Sequence, residues 1–335
     1  MKATILAVVL TFSSLAAHGE SAEEFYRGKQ ISLIIGYNPG GSYDAYGRLA
    51  TNFLPRFIPG NPVLVAKNMP GVGSVKAANF LATQASRDGL TLGIIGQALA
   101  LTQALRDTAV EYDMRDFTWI GRFTSAVELT EVWHTAPVKT IEDAMKRETI
   151  LAATSAGSTT DVFPRLMNRI AGTKFKLVKG YAGTSGSVLA MQRGETEGSL
   201  DSVDALLFIR PDWLRDKTVS VLVQYAQHRH PALPDVPALV EFGKTAQDKQ
   251  VLALFASNAD VGRSLMAPPG IPADRVAVLR RAFSAMVADP AFREQVAKSK
   301  IELNPLPGDV MQKMMADTLN VSPEVFARAI ALNKE

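Results

Sequence analysis

The chain has 335 residues, 47% hydrophobic and 21% charged, which is long enough for two domains with real cores. Its 36 basic and 33 acidic side chains nearly balance, without a strongly basic segment, so no nucleic-acid footprint is present. The lack of cysteine excludes a disulfide framework, a thiol nucleophile and a thiolate metal site.

The first residues have the form of a signal peptide over positions 1–22. Met1-Lys2 is a short basic start, Ala3 to Leu15 is apolar, and Ala17 and Gly19 place small residues for cleavage between about 17 and 22. The apolar run falls short of the roughly 20 residues that a membrane span needs. The expectation is a soluble, exported mature protein in the periplasm.

Residues 31–36 form an apolar run that predicts a buried strand. Asn38-Pro39-Gly40-Gly41-Ser42 makes a turn, and Ala45, Leu49, Ala50, Phe53, Leu54 and Phe57 then recur at helical spacing. The N–H groups of the turn and the first helical turn have no intrahelical partners, and the helix dipole adds positive charge there. Such a place suits an anion without any lysine or arginine. A short strand at 63–66 follows, then a glycine loop at 68–74, a helix at 75–85 and a strand at 90–95 ending at Gly96-Gln97. This alternation predicts a parallel sheet covered on both faces.

The pattern blurs around Tyr112, Phe117 and Trp119, then predicts a strand over 126–134. Thr140 and Asp143 have capping-box spacing for a helix at 141–147. Strands are expected at 150–154, 175–179 and 219–225. Small-residue loops at 155–160 and 180–186 open onto helices near 161–171 and 187–193. Helices are also expected at 274–287, 291–298 and 308–330.

Four strand-to-helix loops (38–44, 68–74, 155–160 and 180–186) are therefore rich in Gly, Ser or Thr. Ligands of open α/β sheets sit outside the carboxyl ends of the strands, where such loops lie. Gly40 and Gly41 serve either turn geometry or close backbone approach to a ligand. Ser42 serves as N-cap, ligand contact or both. Asp44 reads first as a helix-start residue, since its charge opposes a carboxylate. Asp201 either receives an amine or hydroxyl or orients a loop. Gly71-Val72-Gly73 lacks the spacing of a dinucleotide fingerprint, and no Gly-Lys-Ser/Thr follows any glycine run. His228 and His230 lack a nearby third metal ligand and read as surface-loop residues. No Gly-x-Ser-x-Gly elbow or nucleophile–base pair is evident, so neither catalytic residues, metal nor cofactor are expected.

The segments GYNPGGSYD, KNMPGVGSVKAAN, SRDGLTLGIIG, SAGSTTD, KGYAGTSGSVLAMQRGETEGSLDS, HRHPALPDVPALVEFG and LMAPPGIPADRV occur in this order. Together they resemble the periplasmic receptors of tripartite tricarboxylate transporters, the Bug family, over essentially the whole mature chain. The resemblance implies a type II periplasmic-binding fold: two α/β domains with a hinge and a ligand cleft, residues 23–125 plus 226–335 forming one and 126–225 the other. It implies a monomer that binds a small organic carboxylate and delivers it to membrane permease subunits. Sensing for a signalling partner, and catalysis on the same fold, are the other functions that such a cleft allows.

Under this resemblance the ligand-binding residues are Tyr37, Asn38, Pro39, Gly40, Gly41, Ser42, Tyr43 and Asp44 from one jaw. Tyr181, Gly183, Thr184 and Ser185 form the other. Ser155, Gly157, Ser158, Thr159, Gln97 and Asp201 stand around them. The chain departs from the family pattern at Tyr37, Asn38, Gln97 and Ala182. The candidate ligands are accordingly a dicarboxylate, a tricarboxylate, an acidic amino acid or an aromatic acid.

Overall fold

The computed structural model describes residues 20–105, 108–154, 158–181 and 183–333. The expected signal peptide, apart from its last residues, lies outside these, as do Ser155, Gly157 and Ala182. No helix among the described residues is long and apolar enough to cross a membrane.

Two mixed sheets organise the chain. The first contains β1 (Gln30–Ile35), β2 (Val63–Asn68), β3 (Thr91–Ile94) and β4 (Thr118–Thr124). The second contains β5 (Glu128–Trp133), β6 (Thr149–Ala152), β7 (Phe175–Val178), β8 (Gly198–Ser202) and β9 (Val219–Tyr225). The chain then returns to the first sheet through β10 (Arg263–Ala267) and β11 (Leu306–Pro307). The strand orders are β11-β4-β10-β3-β1-β2 in lobe 1 and β7-β6-β8-β5-β9 in lobe 2.

The expected parallel pairing holds only in part of each sheet. β1 runs parallel to β2 and β3, and β6 runs parallel to β7 and β8. β10 is antiparallel to both β3 and β4, and β5 is antiparallel to β8 and β9. The strands that change lobe enter from the far side, so they cannot join as βαβ crossovers. Two of them, β4 and β10, escaped the sequence reading.

Each sheet is sealed by side chains that its strand pattern dictates. In lobe 1, Ile31, Leu33 and Ile35 are fully shielded, and Phe123 packs between Phe283 and Phe292 at centroid distances of 5.0 and 6.3 Å. In lobe 2, Phe163 stacks on Tyr225 at 4.3 Å, and the Tyr225 hydroxyl meets Thr130 Oγ1 at 2.6 Å. The Thr140–Asp143 capping box is present on helix Ile141–Lys146.

Other boundaries shift. The helix expected at 187–193 starts at Gly183, so Thr184 and Ser185 lie in its first turn rather than in a loop. The single helix expected at 308–330 is two, Gly308–Leu319 and Pro323–Asn333, because Pro323 cannot donate into a continuing helix. The last one reaches across the molecule. Arg165 and Arg169, on the lobe 2 helix Thr159–Ile170, donate to its final carbonyls at Asn333, Ala331 and Leu332.

The chain passes from lobe 1 to lobe 2 between Thr124 and Glu128, and the long helix Ala246–Val261 braces this crossing. Ala126 N–H donates to Ala259 O at 2.9 Å. Gly262 then reverses the chain into β10 with φ +48°, and any side chain there would collide with the Thr124 carbonyl oxygen. Glycine at 262 therefore lets β10 begin directly at Arg263 against the end of β4.

Candidate functional site

A cavity of about 240 Å³ lies between the lobes. Lobe 1 lines it with Gln97, at the end of β3, and Arg263, at the start of β10. Lobe 2 supplies Glu128, Thr159, Thr160, Thr184, Leu200, Asp201, Ser202 and Asp204, with Ala126 from the crossing. The carboxyl ends of β3 and β8 and two helix N-termini thus meet at one place, as the sheet rule requires.

Arg263 is the cation of this cavity. Its Nε donates to Ser42 Oγ at 3.1 Å, and its Nη1 donates to Tyr43 Oη at 3.2 Å and to Gln97 Oε1. The guanidinium lies 4.3 Å from the centroid of the Tyr43 ring, which itself stacks on Tyr37 at 4.3 Å. Gln97 N–H donates to Tyr43 Oη at 2.9 Å. These partners are all neutral. Arg263 takes part in no ion pair among the described residues.

The sequence reading did not include a basic residue at this place. Asn38, Pro39, Gly40 and Gly41 are exposed and do not line the cavity. Gly40 has φ +91°, which explains its glycine by turn geometry. Gly41, not Ser42, is the N-cap of helix Ser42–Phe53. The Ser42 hydroxyl holds Arg263 instead.

Asp44 is turned away into a structural tie. It accepts from Gly40 N–H at 3.0 Å, Arg48 Nε at 2.7 Å and Asn68 Nδ2 at 3.0 Å. These bonds, Arg48 foremost, pull its carboxyl down to about 2. Within loop 37–44, Ser42 and Tyr43 hold the Arg263 guanidinium, and Tyr37 stacks on Tyr43.

In lobe 2, Thr159, Thr184 and Asp201 line the cavity. Ser158 belongs to a hydroxyl cluster with Thr154 and Thr160, at 2.9 and 2.8 Å, that fixes the start of its helix. Tyr181 donates to Glu195 Oε2 at 3.4 Å, and neither it, Gly183 nor Ser185 lines the cavity. Asp201 is occupied: Oδ1 accepts from Ser202 N–H at 2.8 Å and Oδ2 is paired with Arg210.

Two acidic residues in the cavity wall were not expected. Glu128 receives Gln97 Nε2 at 3.3 Å. Burial pushes its carboxyl up to about 7, against the lowering effect of the Thr159 hydroxyl and Arg263. Asp204 shares a hydrogen bond with Glu302 of lobe 1. Burial first, then the neighbouring Glu302, drive the Asp204 carboxyl well above its ordinary range. Glu302, although buried, is held low by His230, Asp204 and Thr124, with Thr124 Oγ1 at 2.7 Å and His230 Nε2 at 3.4 Å. His230 is thus turned inward onto a carboxylate, not out on a surface loop. No group of three metal-binding side chains occurs among the described residues.

A proton held between Asp204 and Glu302 across the lobes is the expectation that follows from these opposite shifts. Asp204 has the pKa sign of a group raised on folding. The stability that the Asp204 proton contributes is full below the ordinary aspartate pKa and is lost as pH rises toward the folded value. Asp204→Asn keeps a donor to Glu302 without titrating. Between about pH 5 and about pH 8, the variant should gain on the order of 1 kcal/mol or more over wild type in urea unfolding. Equal pH dependence in both proteins would refute the shared proton.

Comparison with known proteins follows the same direction as the geometry. Residues 56–329 match the profile of the tripartite tricarboxylate transporter family receptor, TctC. A UPF0065 protein of Cupriavidus necator is 26% identical over 309 residues, covering 90% of this chain and 88% of that protein. A TctC solute-binding protein from Polaromonas superposes with a TM-score of 0.68 at 20% identity, over 92% of this chain and 98% of its own. MatC from Rhodopseudomonas palustris, solved with bound malate, superposes at 0.59 with 22% identity, over 91% and 99%. The fold and family are those of solute-binding receptors, and this chain belongs to the tripartite tricarboxylate transporter receptor family.

Proposed function

We propose that this protein is a periplasmic receptor that closes its two lobes on a small organic carboxylate and delivers it to a tripartite tricarboxylate-type permease. The observation that carries this reading is Arg263, a guanidinium facing the interlobe cavity and bonded only to neutral oxygens. A planar fork beside a cavity matches a carboxylate in charge and shape. Malate in the related MatC structure supports the same chemistry.

The residues proposed to bind are Arg263 with Gln97, Ser42, Tyr43 and Tyr37 on one side, and Thr159, Thr184 and Glu128 on the other. Asn38, Pro39, Gly40 and Gly41 form the cleft mouth in this reading. The moving bodies are proposed to be residues 23–125 plus 226–335 and residues 126–225. A ligand touching both lobes stabilises the closed state over the open one by its differential contacts. No nucleophile–base pair enters the mechanism.

A thermal-shift screen of monocarboxylates, dicarboxylates, tricarboxylates, amino acids and aromatic acids tests this. The matching acid, at a hundred times its Kd, should stabilise the protein by about 2.7 kcal/mol through mass action. If every carboxylate leaves the melting temperature unmoved while a neutral or cationic solute raises it, the reading is wrong.

A further inference from the structure

The last helix of the chain ties the two lobes together at a distance from the cavity. Helix Thr159–Ile170 of lobe 2 places Thr159 and Thr160, in its first turn, in the cavity wall. Arg169 stands roughly 15 Å further along the same helix, at a rise of about 1.5 Å per residue. There Arg165 Nη1 donates to Asn333 O at 3.1 Å, and Arg169 Nη1 donates to Ala331 O at 3.2 Å and to Leu332 O. The final carbonyls of a helix have no intrahelical partners and sit at the negative end of its dipole. Two guanidinium groups of lobe 2 thus cap helix Pro323–Asn333.

The same helix is fixed to lobe 1. Arg328 Nε donates to Asp248 Oδ1 at 3.0 Å, at the start of the helix Ala246–Val261 that braces the crossing. Val325 and Ala329 are shielded in one apolar cluster with Leu252 and Phe255 of that helix and with Phe163 and Leu166 of lobe 2. Arg165 adds a link toward the cavity. Its Nε and Nη2 donate to Asp161, fully shielded and next to Thr160, at 3.1 and 3.0 Å. A run of bonded groups therefore leads from the cavity wall through Arg165 to the last helix and on to lobe 1.

We propose that helix Pro323–Asn333 is an interlobe strap that holds the lobes closed before any ligand arrives. Opening the cleft pulls Arg165 and Arg169 off its carbonyls and parts its apolar face from lobe 2. These contacts are made in the closed arrangement and lost in the open one, so they favour closure by their own free energy. A ligand completes a closure that the strap has prepared and needs less differential affinity of its own.

The test needs no ligand, so its outcome is independent of the carboxylate reading. The chain has no cysteine, so two introduced cysteines carry one spin label each. Val63→Cys and Lys176→Cys place them at exposed positions on the edge strands of the two sheets. Double electron–electron resonance on the unliganded protein then reads the distance between the lobes. With the strap intact the short distance should dominate. Adding Arg165→Gln and Arg169→Met should raise the ratio of long to short distances about tenfold or more. Arg169→Met alone should raise it about threefold or more, and it decides the point if the loss of the Asp161 fork keeps the double variant from folding. An intact strap with the lobes wholly at the long distance would overturn the proposal. So would an unchanged distance distribution in the folded variants, even with a lowered urea midpoint, which is what a merely structural cap predicts.

Discussion

Arg263→Gln should weaken binding of the stabilising carboxylate by about 100-fold, roughly 3 kcal/mol, while leaving the unliganded protein nearly as stable as wild type. The two halves of this expectation have different origins. The loss of affinity follows from removing a charge-assisted fork from a cavity whose described lining holds no other cation, Arg210 behind it being paired with Asp201. The preserved stability follows because Arg263 forms no ion pair among the described residues, and the buried Glu128 and Asp204 carboxyls, which it lowers only partly, can stay protonated without it. Glutamine can still reach Ser42 Oγ or Tyr43 Oη as a neutral donor. Titration calorimetry with the acid found by thermal shift reads the first half, and urea unfolding reads the second. Unchanged affinity would show that the carboxylate sits elsewhere.

Glu131→Gln should make the protein more stable above neutral pH, although it removes a buried charge-bearing group. Glu131 lies in the middle of β5, fully shielded, and neither of its carboxylate oxygens has a hydrogen-bond partner among the described residues. Burial raises its carboxyl to about 7, and Arg210 opposes this only partly. The native protein therefore keeps a proton here that the unfolded chain releases. The stability tied to that proton is complete below the ordinary glutamate pKa and disappears as pH rises through about 7. A shift from 4.5 to about 7 corresponds to about 3 kcal/mol. Relative to wild type, Glu131→Gln should gain on that order between about pH 5 and about pH 8. Urea midpoints at the two pH values measure it, and parallel losses in both proteins would contradict it.

The strands with clean local signals were legible. Val219–Tyr225 and the Gln30–Ile35 strand stand out because their apolar runs end at polar or glycine boundaries. Thr140 and Asp143 announce their helix because a capping box is a local device, formed within four residues. β4 was not legible. Its residues alternate poorly because both faces are covered, so Trp119, Ile120, Gly121, Arg122 and Phe123 are all buried. β10 hid for a related reason, since its partners are far away in sequence and antiparallel.

The site followed the same division. Gln97, Thr159, Thr184 and Asp201 reach the cavity from strand-to-helix junctions, which the sequence marks with small and hydroxyl residues. Arg263 comes from a strand that returns after the whole second lobe, and only Gly262, three positions before the LMAPPG segment, signals a sharp reversal there. Glu128 and Glu131 carried a readable clue. A glutamate buried in the middle of a β-strand is out of keeping with its surroundings. Asp44 reads as a helix-start acid from its place beside the glycine turn, and it is held there by Gly40, Arg48 and Asn68.

A crystal structure of the protein with the carboxylate that stabilises it most would test the central claim directly. The expected result is a ligand between the lobes with its carboxylate oxygens roughly 3 Å from the Arg263 guanidinium, and with Thr159 or Thr184 touching it from the other lobe. A carboxylate held by the exposed backbone of residues 38–41 with Arg263 turned away, or bound outside the interlobe cavity, would contradict it.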